Sequence, residues 1–262
     1  MSTPAERRKL LKAVYEQARN CVRCPLHQTR TTVVFGSGNA DAELMFIGEA
    51  PGANEDRMGL PFVGQAGKLL DKLLEEIGME RGDVFIANVL KCRPPDNRDP
   101  HPNEIDACQP YLRRQIELIE PAVICTLGNF STKLLRGESV GISRLHGREE
   151  LREIGSRAVR LYPLYHPAAA LYTPSTLEAL RRDFHRIPEL LALGAPEQPP
   201  ALEPVPELEE RAPELEEPVP ELEEPAPELE EPAPEWEEPS AASGPEPTLA
   251  GEPERAAQLG LF

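Results

Sequence analysis

Five cysteines stand at positions 21, 24, 92, 108 and 125. Cys21-Val22-Arg23-Cys24 sets two thiols two residues apart, so that one turn of chain can offer both to a single metal centre. Cys92 and Cys108 complete a set of four, enough for a zinc ion or a [4Fe–4S] cluster. Spacing does not choose between those two, nor does it exclude unmetallated buried thiols. Cys125 lies inside the apolar run Ala122–Leu127 and reads as a small core residue. A second group of polar residues is spread along the chain. Gly48-Glu49-Ala50-Pro51-Gly52 packs two glycines, a proline and a carboxylate into one turn, exposing backbone amides to whatever lies beside it. Glu55 follows, and then Gly59-Leu60-Pro61-Phe62-Val63-Gly64 sets an aromatic among turn residues, as core or as a surface for stacking a base. Asn88 and His166 each close an apolar run.

These residues need elements to hold them. Leu44–Ile47, Val84–Val89, Ala122–Leu127 and Leu161–Tyr165 are short apolar runs with the pattern of strands buried on both faces. Between them, Leu69, Leu70, Leu73, Leu74 and Ile77 recur at helical spacing before Gly78, and Ile105–Ile119 forms a second helical stretch. Thr3-Pro4-Ala5-Glu6 carries a hydroxyl cap, a proline at the first helical position and a glutamate to complete a capping box. A hairpin is predicted from Arg144–Leu151 with Ala158–Leu161, and a closing helix from about Ser175 to Leu193. Strands alternating with helices predict a small parallel sheet between two helical layers. In such folds ligands bind beyond the carboxyl ends of the strands. Gly48-Glu49, Asn88 and His166 all fall there, so three separate segments are expected to meet at one crevice.

Charge divides the chain. Residues 196–262 hold 20 glutamates and two arginines, leaving 25 acids and 26 bases for residues 1–195. The formal charge of −17 therefore belongs to the tail, and the nearly neutral body is free to carry a basic face for nucleic acid. Val205–Arg211, Ala212–Pro218, Val219–Pro225, Ala226–Pro232 and Ala233–Pro239 are near-copies of one seven-residue unit. Each has a single Leu or Trp and at least one Pro. Proline breaks helices and one apolar position makes no seam, so 196–257 is predicted to be a disordered, extended tether rather than a coiled coil. No secretory signal and no bilayer-spanning apolar stretch is found, and the odd cysteine count suits reduced thiols or metal ligands. A cytoplasmic, nucleoid-associated monomer with no membrane partner is the expectation.

Residues 20–195 resemble the family 4 uracil-DNA glycosylases of thermophilic bacteria and archaea. The resemblance rests on Gly48–Gly52, Gly59–Gly64, Asn88-Val89-Leu90-Lys91-Cys92-Arg93-Pro94-Pro95, His166-Pro167-Ala168 and the four cysteine positions, in the family's order. It implies a three-layer α/β/α sandwich around a parallel sheet, a [4Fe–4S] cluster on Cys21, Cys24, Cys92 and Cys108, and hydrolysis of the bond between uracil and deoxyribose in DNA, the first step of base excision repair. Many other uracil glycosylases have an Asp where Ala50 stands; family 4 has Gly or Ala.

The resemblance also implies roles. The deoxyuridine must leave the duplex and enter a pocket, and uracil departs as an anion. His166 would donate to the departing oxygen, for which a neutral imidazole suffices. The Asn88 amide would match the edge of uracil and mismatch that of cytosine. Phe62 would stack on the base, and Ala50 with Pro51 would contact its carbonyl edge. Glu49 would join them in holding uracil; Glu49 or Glu55 would take part in catalysis, or catalysis would rest mainly on stabilising the leaving uracil, with His166 expected to matter more than Glu55. Lys91, Arg93 and Arg98 are candidate phosphate contacts, and Leu171 a wedge for the vacated space. Gln258-Leu259-Gly260-Leu261-Phe262 is similar to the peptide with which bacterial repair proteins dock on the sliding clamp: Gln258 for the pocket rim, and Leu259, Leu261 and Phe262 as its apolar residues. The tether before it has a coil reach of roughly 45 Å. Two rivals remain: a broader glycosylase for deaminated bases, and a non-catalytic iron–sulfur adaptor on DNA.

Overall fold

A computed structural model describes residues 3–199. The tail repeats and the clamp-like peptide, with Gln258, Leu259, Leu261 and Phe262, lie outside the described residues. The chain opens with helix α1 (Pro4–Arg19), started as its sequence requires: the Thr3 hydroxyl accepts from Glu6 N and the Glu6 carboxylate accepts from Thr3 N at 2.7 Å. A loop carrying Cys21 and Cys24 leads to β1 (Ser37–Gly38) and β2 (Leu44–Gly48). Then come α2 (Ala53–Met58), α3 (Gln65–Glu76), β3 (Phe85–Asn88), α4 (Pro102–Ile119), β4 (Val123–Leu127), α5 (Asn129–Arg136) and α6 (Ile142–Leu145). The hairpin β5 (Glu150–Ile154) and β6 (Arg157–Leu164) precedes α7 (Pro167–Ala170), α8 (Pro174–His185) and α9 (Ile187–Ala192).

The sheet order is β1-β3-β2-β4-β6-β5. The four central strands are parallel, as expected, but both edges are antiparallel, so the sheet is mixed. Each β2 side chain alternates faces in the usual period of two. Leu44 and Phe46 pack with α3, α8 and α9, whereas Met45 and Ile47 pack with α1 and α4. These two apolar clusters are the two halves of an α/β/α sandwich.

Three expected boundaries shift for identifiable reasons. The predicted hairpin begins only at Glu150. Ahead of it Asn129 Oδ1 accepts from Ile142 N at 2.8 Å and starts α6, and Gly147, at φ +71°, turns the chain back. The strand predicted over Leu161–Tyr165 is the end of one long strand, β6. The closing helix breaks at Arg186, because Pro188 has no N–H to continue the ladder. Beyond α9, the Gln198 side chain donates to Ala158 O at 3.0 Å and accepts from Ala158 N at 3.2 Å, docking residues just past 195 on β6. Among the described residues no helix is long and apolar enough to cross a membrane.

Candidate active site

Parallel strands with short exits bring their carboxyl ends together, and here those ends line a cavity of about 480 Å³. That is the size of a small-molecule site. Its walls include Glu49, Ala50, Pro51 and Glu55 from the β2 exit, Phe62, Asn88, and His166 from the β6 exit. Arg98 and Asn97 stand at its edge. The crevice expected from three separate segments is present.

Asn88 ends β3 directly beside Gly48, its partner across the parallel ladder. It is almost fully buried, yet no group among the described residues meets its side-chain amide. The amide is open to the cavity that Asn88 lines, where a ligand or water can pair with it. Gly48 makes room for it: a Cβ there would fall on Asn88 Oδ1 and within 2.8 Å of Phe62 Cζ. The next backbone amides, Val89 N and Leu90 N, donate to Gly48 O and Glu49 O at 3.0 Å, tying the two strand exits together.

Phe62 is held in the left-handed region, at φ +52°, which a bulky residue adopts only when its surroundings insist. Arg81 supplies the insistence. Its guanidinium donates to Pro61 O at 2.9 Å and Phe62 O at 2.6 Å, while Nε is anchored on Asp71. Gly67 supplies the room, since a Cβ there would overlap the Phe62 carbonyl oxygen. Glu55 secures the same turn from the other side, its Oε1 accepting from Val63 N at 2.9 Å and Gly64 N at 3.0 Å. Gly67→Ala should therefore displace Phe62: we expect about 1–3 kcal/mol of stability to be lost by thermal denaturation, because backbone cannot rotate out of the way.

His166 caps the short helix α7, and its Nδ1 accepts from Ala168 N at 3.1 Å. That bond needs an unprotonated Nδ1, so the proton of the neutral ring sits on Nε2. Burial drives the imidazole down to about 4, leaving it neutral at physiological pH. The ring lies 5.6 Å from that of Phe62, tilted by 29°. Phe62 and His166 thus line one cavity with their rings stacked. Glu49 is half-buried; burial first and the charge of Asp99 second push its carboxyl up, and no hydrogen bond holds it among the described residues.

The uracil-DNA glycosylase superfamily model matches residues 35–187. The type-4 uracil-DNA glycosylase of Sulfurisphaera tokodaii is 49% identical over 185 residues, covering 69% of this chain and 84% of that protein. That of Saccharolobus solfataricus is 49% identical over 189 residues, 70% and 87% of the two chains. The Archaeoglobus fulgidus enzyme of the same name is 46% identical over 190 residues, covering 71% and 96%. The chain belongs to the type-4 uracil-DNA glycosylase family.

Within this family member, the four cysteines occupy one neighbourhood, two on the loop after α1, one after β3 and one on α4. Cys92 and Cys108 are buried and Cys21 and Cys24 half-buried. Burial first, and then the neighbouring thiols, push Cys24 and Cys92 up, which sets Cys24 near Cys21 and Cys92 near both. Burial pushes Cys108 up to about 11. Arg30 Nη1 donates to Cys92 Sγ at 3.3 Å and Lys91 N to Cys108 Sγ at 3.2 Å, so two of the sulfurs are already treated as acceptors. No three His, Cys, Asp or Glu side chains among the described residues stand close enough to grip a single ion.

One expected phosphate contact is overturned. Lys91 is fully buried, pointing inward to donate to Asn88 O at 2.8 Å and Gln115 Oε1 at 2.6 Å, and cannot reach DNA. Its backbone N–H donates to Cys108 Sγ and so holds this stretch against α4, and burial lowers its ammonium to about 8. Arg93 is partly exposed and donates to Asn97 Oδ1; Arg98 is paired with Glu104 at 2.6 Å. Leu171 is 40% exposed at the end of α7. Arg81, Gly67 and Gln115 escaped the sequence reading: Arg81 and Gln115 act on residues 19 and 24 positions away, and Gly67 matters only because the Phe62 turn folds back onto it.

Proposed function

We infer that this chain removes uracil from DNA, and the observation that carries the inference is the unpartnered Asn88 amide facing the same cavity as Phe62 and His166. A flipped uracil offers N3–H to Asn88 Oδ1 and takes a hydrogen bond from Nδ2 at O4; cytosine reverses both. The ring of Phe62 stacks on the base. As the glycosidic bond breaks, negative charge develops on the uracil oxygen, and His166 Nε2–H, preset by Ala168, stabilises it without moving a proton. We assign the attacking water to Glu49, whose carboxylate has no competing partner, and assign Glu55 to holding the Phe62 turn.

The four cysteines gather from the N-terminal loop, the β3 exit and α4, and four thiolates are the ligand set of a [4Fe–4S] cluster. Cys21, Cys24, Cys92 and Cys108 would hold a [4Fe–4S] cluster, which supplies a crosslink between the N-terminal loop, the β3 exit and α4.

The test is incubation with an oligonucleotide containing one uracil, followed by alkaline cleavage; cleavage at that site is expected, and intact strand would leave the non-catalytic adaptor reading. Hypoxanthine and xanthine present the same N–H and carbonyl pair to Asn88, so parallel substrates carrying them test whether the pocket walls exclude a purine; cleavage there would favour the broader glycosylase. We also propose that residues 258–262 dock a monomer of this protein on the sliding clamp. Deleting them is expected to abolish clamp binding in surface plasmon resonance and to leave uracil release from short oligonucleotides unchanged; clamp binding that survives the deletion removes the proposal.

A further inference from the structure

Lys91 is the buried ammonium that the proposed chemistry leaves without a task. It has no carboxylate partner among the described residues; its neighbours are the Asn88 carbonyl, the Gln115 side chain and the face of Phe35, 5.9 Å away. Burying a charge is expensive even with the sulfurs of Cys92 and Cys108 beside it, and an apolar residue of the same length would fill the space at less cost. What the ammonium does instead is connect. Its backbone N–H is bonded to Cys108 and its Nζ to Gln115, seven residues along α4 and on the same face, so the residue is clamped to that helix at two points. Gln115 is fixed in turn by donating to Phe35 O at 2.9 Å. The far end of this chain is the carbonyl of Asn88, the last residue of β3.

We propose that Lys91 is a positioning residue for base recognition, a strut from the cysteine-bearing helix α4 to the Asn88 peptide that sets where the Asn88 amide meets the base. The proposal rests on the reading of Asn88 as the base-recognising group. It predicts that the thiol set and the uracil pocket are mechanically joined: α4 carries Cys108 and Gln115, and Lys91 carries their position to Asn88.

The experiment uses the full chain and single-turnover uracil release, read per folded molecule by active-site titration, with DNA affinity and the visible absorption of the isolated protein measured alongside. Lys91→Met is expected to slow release on the order of tenfold, at unchanged DNA affinity and unchanged absorption. It is expected to narrow the preference for uracil over cytosine as well. In an Asn88→Ala background the same change should cost nothing further, since Lys91 acts only through Asn88. A residue that merely stabilises the fold would lower the melting temperature and leave the rate per folded molecule intact, which overturns the proposal. So does a loss that is equal in both backgrounds. Should Lys91→Met not be recovered folded, Gln115→Met, which frees the ammonium from α4, is expected to show a several-fold loss that vanishes in the Asn88→Ala background; no loss overturns it equally. Wild-type protein that releases no uracil at all would instead remove the glycosylase reading.

Discussion

His166→Ala is expected to slow uracil release by on the order of 10²–10³ in single-turnover assays, with little change in DNA affinity. The size follows from what the side chain does. It lines the cavity in which uracil would be released, and its orientation is fixed beforehand by the bond from Ala168 N. A donor preset in a buried site spends nothing on reorganisation when the bond breaks. Its neutrality matters to pH dependence. Because the folded imidazole titrates near 4, well below its ordinary value, it stays the same donor from neutrality down toward that point. Loss of activity with an ordinary histidine midpoint would show that this environment is wrong. The same lowered value carries a stability consequence. The unfolded chain binds the proton more readily than the folded one, so this group's contribution is present above the ordinary histidine range and is lost as pH falls toward 4. Glu55→Ala is expected to cost less than His166→Ala, since it loosens a turn rather than removing a charge-stabilising donor; equal losses would refute that ranking.

Asn88→Asp is expected to be nearly as severe for uracil, on the order of 10³, because a site built around hydrogen bonds penalises mismatched ones heavily. The carboxylate keeps an acceptor for uracil N3–H but turns the donor opposite O4 into a second acceptor. It also places a charge in a position that is almost fully buried, against Phe62 and beside the half-buried Glu49. The ratio of uracil to cytosine release should fall with it, since the feature that excluded cytosine has been removed. Steady discrimination in competition between uracil- and cytosine-containing oligonucleotides would take base recognition away from Asn88.

The alternation of apolar runs and amphipathic stretches already located the four central strands and the helices around them, because burial on a two-layered sheet imposes its own periodicity on the chain. Gly48, Asn88 and His166 could be placed at one sheet edge for the same reason: residues that end consecutive parallel strands must share it. Four cysteines of chemically matched type were visible, as was the Thr3–Glu6 cap, whose partners are three residues apart. What stayed hidden is whatever depends on residues meeting across the fold. Lys91 looks like a surface cation beside Arg93 until α4 is packed over it, and only then does its ammonium find Asn88 O and Gln115. Arg81 looks like one arginine among many until it reaches back to the Phe62 turn. Glu55 looks like a candidate base until Val63 N and Gly64 N take its oxygen. Sequence determined the identities and the strand ends, which are local properties of a chain. Tertiary packing alone decided which polar groups line the cavity and which hold those that do, because burial and long-range hydrogen bonds exist only once the layers close.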